Sequence, residues 1–160
     1  ENDVIFLFSE LLARGHLKGF EVLSVSSAAK YDAVVNYSFT KNRNALTYDP
    51  VSNPLGVPKN KLGRTDLSLK NLEFKHSLED LIVDFEEGSK SPQHVRFAVV
   101  WDEGSVRQAG FEVIELQTPT GQLQRSFHGE THKLVMEGAQ IPVIMLKTVL
   151  EVLKDTRLLT

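Results

Sequence analysis

Residues 72–86 constrain the fold of this 160-residue chain more than any other stretch, because a strand pattern there leads directly into a helix pattern. Leu72 and Phe74 alternate with Glu73 and Lys75, and alternate residues of a strand share one face. The apolar pair is therefore predicted to face a buried layer. The carboxylate and the ammonium are predicted to project together on the opposite face.

The segment that follows carries a helix start signal, an apolar stripe and a stop signal. Ser77, with Asp80 three residues later, forms a capping box, and Gly88 stands where a helix can end. Four residues at helical spacing form one apolar face: Leu78, Leu81, Ile82 and Phe85. Residues 95–101 are a nearly continuous apolar run, which is typical of a strand buried on both faces. A helix over 77–87 is therefore predicted to pack against a sheet that contains both strands.

Apolar periodicity predicts the remaining elements of the chain. These are a helix over 3–13, strands over 20–26, 30–39, 111–116 and 141–146, a turn over 117–122 and a final helix over 148–155. Asn2 or Asp3 is expected to cap the first helix. This order predicts an α/β fold with a mixed central sheet flanked by helices, formed as one domain by residues 1–160.

Composition limits the classes of function. The chain has no cysteine, which excludes disulfides and thiolate metal sites and is compatible with the reducing cytoplasm, where we expect the protein to act. Its net charge of −3 does not favour nucleic-acid binding, although a carboxylate-rich site would itself make a nucleic-acid-binding domain less basic. The apolar run 4–12 is too short to span a bilayer and contains Glu10, so we expect no membrane partner. Because Glu1 begins directly inside an apolar pattern, we expect a domain excised from a longer chain.

Residues 41–64 form a long polar segment with three prolines and two glycines, a composition that argues against regular structure. Its basic residues include Lys59, Lys61 and Arg64. One interpretation is a mobile loop that meets the phosphates of a nucleic acid. The alternative is a solvated excursion with no binding role.

Several acidic residues are candidates for metal ligands. Glu73 supplies a hard oxygen donor, and Lys75 beside it can orient or help deprotonate a water. The alternative for this pair is a surface ion pair, worth about 0–1 kcal/mol. Asp32 begins the second predicted strand, where it can be a functional residue or a turn residue. Carboxyl groups more than about 8 Å apart could not share one ion.

The segment 128–132 places two histidines four residues apart. On a helix His128 and His132 would share a face, as zinc ligands do, but Gly129 opposes a helix and no third ligand is evident. Two alternatives are an ordinary polar turn and an accessory role in which His128, His132 or Arg125 contacts substrate.

Three signals together resemble the PD-(D/E)xK restriction-endonuclease-like nucleases: an acid, Asp32, at a strand start, the Glu73-Phe74-Lys75 pattern on the next predicted strand, and a capped helix that leads to an apolar strand. The resemblance covers residues 3–102, about two thirds of the chain. In finer detail the chain resembles a terminal domain of large bacterial proteins that carry a histidine-kinase or heat-shock-protein-90-like ATPase module. The segments that carry this resemblance are Tyr31-Asp32, Leu72-Glu73-Phe74-Lys75, Asp80-Leu81, Asp84-Phe85-Glu86 and Val99-Val100-Trp101-Asp102. That resemblance implies an ATPase module elsewhere in the full-length chain.

The resemblance also implies a mechanism. Asp32 and Glu73 would be metal ligands, Lys75 would position or activate the attacking water, and Glu10 would match an auxiliary ligand of some members. The cofactor would be Mg²⁺ or Mn²⁺ and the reaction phosphodiester hydrolysis of DNA or RNA, in phage defence or DNA processing. Two departures are the tyrosine at position 31, where the family has proline, and the long gap between the two acids. Because of that gap, Asp66 is a rival of Asp32 as the metal ligand.

Two other functions stay open from the sequence. One is a catalytically inactive module of the same fold, used for dimerisation or for holding nucleic acid. The other is an α/β domain that binds a small molecule or a protein, with Glu73 and Lys75 as a surface pair.

Overall fold

The computed structural model describes residues 1–159 as four α-helices and seven strands. The helices are α1 (Asn2–Ala13), α2 (Arg43–Leu46), α3 (Leu78–Glu86) and α4 (Leu146–Asp155). The strands are β1 (Phe20–Val25), β2 (Ala33–Tyr37), β3 (Leu67–Ser77), β4 (Phe97–Asp102), β5 (Glu112–Glu115), β6 (His132–Met136) and β7 (Ala139–Met145). Among the described residues, no helix is long and apolar enough to cross a membrane.

All seven strands form one mixed sheet in the order β1-β2-β3-β4-β7-β6-β5. The central strands β3, β4 and β7 run parallel, and each remaining pair of neighbours is antiparallel. Helices cover both faces, so the predicted α/β fold with a mixed central sheet flanked by helices is confirmed.

The two faces of the sheet bury separate apolar cores. On one face α1 and α4 pack against β2, β3 and β4, and Phe8 of α1 meets Phe74 edge-on with ring centroids 5.6 Å apart. On the other face α3 packs against β4, β6 and β7. Strand β4 supplies Phe97 and Val99 to the first core and Ala98 and Val100 to the second, as the apolar run 95–101 predicted.

Local signals located α3 and most strands well, with some corrections. Ser77 caps α3 by accepting a hydrogen bond from Asp80 N at 3.3 Å, as predicted. Helix α1 begins instead at an N-cap Glu1 that makes no side-chain cap bond, so the prediction of Asn2 or Asp3 as the cap is wrong. Strand β3 starts five residues before the predicted strand because residues 67–71 pair with β2, and β6 was not predicted at all.

The segment 38–66 is a structured connection, in contrast to the irregular loop expected from its prolines and glycines. It contains α2 and a short 3₁₀ turn at Lys59–Lys61, and Leu46, Val57 and Leu62 form a small buried cluster of their own. The segment leaves the sheet after β2 and returns at the start of β3. It therefore lies at the end of the sheet opposite to Asp32.

Candidate functional site

Asp32 and Glu73 are locked together where β2 begins beside β3. Asp32 N donates a hydrogen bond to Glu73 Oε1 at 3.0 Å, and Phe74 N donates to Asp32 Oδ2 at 2.9 Å. Each carboxylate thus uses one oxygen to extend the antiparallel pairing of the strands. The two remaining oxygens, Asp32 Oδ1 and Glu73 Oε2, face a common cation, the Lys90 ammonium.

This pair belongs to a charged cluster of five residues: Asp32, Glu73, Lys75, Asp84 and Lys90. Lys90 Nζ donates a hydrogen bond to Glu73 Oε2 and lies 3.9 Å from Asp32 Oδ1. Lys75 Nζ lies 2.9 Å from Asp84 Oδ2 and 3.8 Å from Glu1 Oε2, at the start of α1. Since one ammonium reaches both Asp32 and Glu73, their carboxylates satisfy the distance limit for sharing an ion.

The side chains of the charged cluster are largely buried, and burial governs their protonation. Glu73 is fully buried, and burial raises its pKa from 4.5 to about 7 against the opposing effect of the Lys90 ammonium. Burial alone would lower the pKa of Lys75, but the carboxylates of Asp84, Glu1 and Asp32 raise it above its ordinary value. Lys75 is therefore charged at neutral pH in this arrangement, which favours binding and orienting a ligand over accepting a proton.

Glu10 and Asp66 do not join the charged cluster. Glu10 lies near the far end of α1, about 14 Å along the helix from Glu1, and pairs with Arg14 at 3.2 Å. The acid that α1 brings to Lys75 is Glu1. Asp66 precedes β3 at the opposite end of the sheet, where it accepts hydrogen bonds from Phe39 N at 2.8 Å and Thr40 N at 3.1 Å. Of the two rival aspartates, Asp32 is the one that meets Glu73.

The residues around 128–132 form a buried structural network. This arrangement differs from two interpretations of the sequence, a zinc site on a helix and a contact with substrate. His128 lies in a turn and its Nε2 pairs with Asn53 Oδ1 at 2.7 Å, whereas His132 begins β6 and its Nδ1 pairs with Thr131 Oγ1 at 2.8 Å. Burial lowers the pKa of His128 to about 3 and that of His132 to about 4, so both rings are neutral at pH 7.

Arg125 is fully buried in the same network and has no surface with which to contact a substrate. Its guanidinium donates to backbone carbonyls of Pro54 at 3.0 Å, Gly56 at 2.9 Å and Glu130 at 2.8 Å. These bonds fasten the connection 38–66 to the turn that precedes β6.

The charged cluster has the donor chemistry for a hard divalent ion. Within residues 1–159 no three histidine, cysteine or acidic side chains are grouped as a complete metal cage. Mg²⁺, however, is commonly held by one or two carboxylates together with waters and substrate phosphates. Asp32 and Glu73 fit that requirement, and Asp84 Oδ2 is a buried acceptor that receives no well-directed hydrogen bond.

Sequence reasoning did not assign Asp84 or Lys90 to the site, although Asp84 lies in one of the segments that carry the finer resemblance. Asp84 lies on α3 next to the apolar stripe, so only its position at the edge of that stripe could have indicated a partly buried acid. Lys90 follows the helix stop at Gly88 in a polar stretch, and no local signal distinguishes it from a solvated lysine.

We compared the chain with protein-family models, with curated protein sequences and with solved structures, and none of these comparisons found a match. Support for a function therefore comes from the geometry of the charged cluster and from the motif pattern.

Proposed function

We propose that this chain is a restriction-endonuclease-like nuclease domain that hydrolyses phosphodiester bonds of DNA or RNA with Mg²⁺ or Mn²⁺. The fold assignment is supported by a sheet in which an antiparallel pair, β1 and β2, leads into the parallel strands β3 and β4, with α3 as the crossover. We place the domain in a larger cytoplasmic protein with an ATPase module, acting in phage defence or DNA processing, as the motif resemblance suggests.

One observation carries the proposed activity: Asp32, directly before β2, and Glu73, on β3, each have one oxygen fixed by a backbone N–H and one oxygen turned toward a shared cation. Such fixation orients a ligand before the ion arrives, which favours binding. Asp32 and Glu73 would hold the ion through these turned oxygens. When bound, the ion would supply Lewis-acid activation of the phosphodiester and of the attacking water.

Lys75 would act as a charged group in this chemistry. It lies on the same face of β3 as Glu73, and its ammonium is held at the edge of the charged cluster by Asp84. From there it can bind a non-bridging phosphate oxygen or orient a water.

The test is cleavage of plasmid and single-stranded DNA with Mg²⁺ or Mn²⁺ by four variants. Lewis-acid activation is worth several kcal/mol, so Asp32→Ala and Glu73→Ala should each lower the rate by at least about 100-fold. Lys75→Ala should lower the rate while leaving much of the metal affinity, because an ammonium is not a ligand. Asp66→Ala is the matched control and should cut normally if folded. Undiminished cleavage by Glu73→Ala would place the chemistry elsewhere.

The second candidate is an inactive module of the same fold that dimerises or holds nucleic acid. It is favoured by the charge balance of the charged cluster, in which two ammonium groups already offset two of the three carboxylate charges. Binding of DNA without any metal-dependent cleavage, under conditions where Mn²⁺ is bound, would support this candidate over the enzyme.

A further inference from the structure

The loop after α3 places a second lysine inside the acidic site. Lys90 Nζ contacts Glu73 Oε2 directly and lies within 3.9 Å of Asp32 Oδ1, with only 11% of its side chain exposed. We infer that Lys90 is the resident cation of this site and that a divalent ion binds Asp32 and Glu73 only by displacing its ammonium. This inference rests on the proposed function.

The competition follows from which oxygens the ammonium uses. Asp32 Oδ2 and Glu73 Oε1 are occupied by backbone N–H groups, so an incoming ion must use the other oxygen of each carboxylate. Those are the oxygens that face Lys90. An ammonium and a divalent ion at the same oxygens repel each other strongly in a buried site, where charges are poorly screened. The two cations are therefore alternatives.

The structure also offers the displaced ammonium a second partner. Asp84 Oδ2 is buried, lies 3.5 Å from Lys90 Nζ and already pairs with the Lys75 ammonium at 2.9 Å, so Lys90 would share this carboxylate with Lys75. A change of side-chain rotamer would bring Lys90 toward Asp84 without moving the backbone, which Ser89 N anchors by donating to Asp84 O at 3.1 Å. Lys90 can thus leave the metal-binding oxygens and stay close by as a positive charge.

The two lysines consequently have different roles. Lys75 stands on β3 and pairs with Asp84 and Glu1, so it does not occupy the oxygens that face the shared cation. Lys90 does occupy them and sets the metal affinity of the site.

The experiment is isothermal titration of the full chain with Mn²⁺ at about pH 8, where protons compete least for Glu73. Lys90→Met keeps an unbranched apolar stem and removes the charge, and Lys90→Gln is a second variant in case the first does not fold. The matched control is Lys133→Met, because Lys133 Nζ donates to the fully buried Glu130 at 2.7 Å, away from the charged cluster. The Lys90 variants should bind Mn²⁺ at least about tenfold more tightly than wild type, and Lys133→Met should be unchanged.

The outcomes separate this inference from the proposed function. Mn²⁺ binding that is lost in Glu73→Gln but equal in wild type and a folded Lys90 variant would overturn the role of Lys90 alone. Weaker binding by the Lys90 variants would also overturn it, since Lys90 would then assist the ion. Absence of Mn²⁺ binding in all folded variants would overturn the metal site together with this inference.

Discussion

Glu73→Gln tests the central electrostatic feature of the site independently of any activity. The side chain is fully buried, and its pKa is raised by burial from 4.5 to about 7 despite the neighbouring Lys90. Between these two values the folded protein binds a proton that the unfolded chain releases. Stability attributable to Glu73 is therefore present at low pH and is lost as pH rises through about 7.

The size of this effect follows from the raised pKa. Each tenfold difference in proton affinity is worth about 1.4 kcal/mol, so between pH 5 and pH 8 the ionisation of Glu73 costs about 2–3 kcal/mol of folding stability. Glutamine has nearly the same shape and no charge at either pH. We therefore expect the unfolding free energy of Glu73→Gln, relative to that of wild type, to increase by about 2–3 kcal/mol from pH 5 to pH 8.

Urea unfolding at the two pH values, followed by the fluorescence of Trp101, the sole tryptophan, measures this difference. His128 and His132 are buried in the neutral form, so their contribution to folding stability is lost as pH falls below 6.5, opposite to that of Glu73. This contribution is the same in variant and wild type and cancels when the two are compared. Glu10→Gln, at a half-exposed helix position, controls for removing a negative charge. Equal pH dependence in Glu73→Gln and wild type, within about 0.5 kcal/mol, would refute the reasoning.

Two further predictions concern the other end of the sheet. Arg125→Met should destabilise the protein by about 3–5 kcal/mol in urea unfolding, because it leaves buried carbonyls without their charged donor. The control Arg14→Met, at an exposed position, should change stability by no more than about 0.5 kcal/mol. An equally small effect of Arg125→Met would contradict a stabilising role of the Arg125 hydrogen bonds. Neutralising Lys59, Lys61 and Arg64 together should weaken DNA binding and reduce the slope of log affinity against log salt by up to about three. An unchanged salt dependence in the triple variant would show that this segment does not contact the phosphates of DNA.

The parts of the fold that the sequence predicted well are those with short-range signals. Ser77, the apolar stripe after it and Gly88 define α3 within one residue at each end, since capping and helical periodicity act over a few residues. The apolar run in β4 is equally local. Strand β6 was missed because its buried first residue is His132, whose burial depends on a partner, Thr131, and on the register with β7.

The candidate site likewise contains residues that short-range patterns predicted and residues that only tertiary packing brings together. Alternation along β3 predicted that Glu73 and Lys75 share a face, and the position of Asp32 at a strand start predicted its approach to Glu73. Lys90 and Asp84 enter through tertiary packing of α3 and the loop after it, which no pattern within a few residues can report. Glu10 was assigned to the site wrongly, because the family resemblance matched only the helix on which it lies. The direction of α1 brings Glu1, at the start of that helix, to the site instead.

The separation of the basic connection 38–66 from the charged cluster determines what a nucleic acid must do to use both. Strand β2 begins directly after Asp32 and ends at the start of that connection, and its five residues span about 17 Å. That is the length of about five nucleotides of one DNA strand at 3.4 Å each. Under the proposed function, a short nucleic acid held only by Lys59, Lys61 and Arg64 would therefore not present a phosphate to Glu73. A nucleic acid that contacted both would have to span at least the length of β2, so under the proposed function the basic segment would add affinity for long substrates without taking part in the chemistry at Glu73.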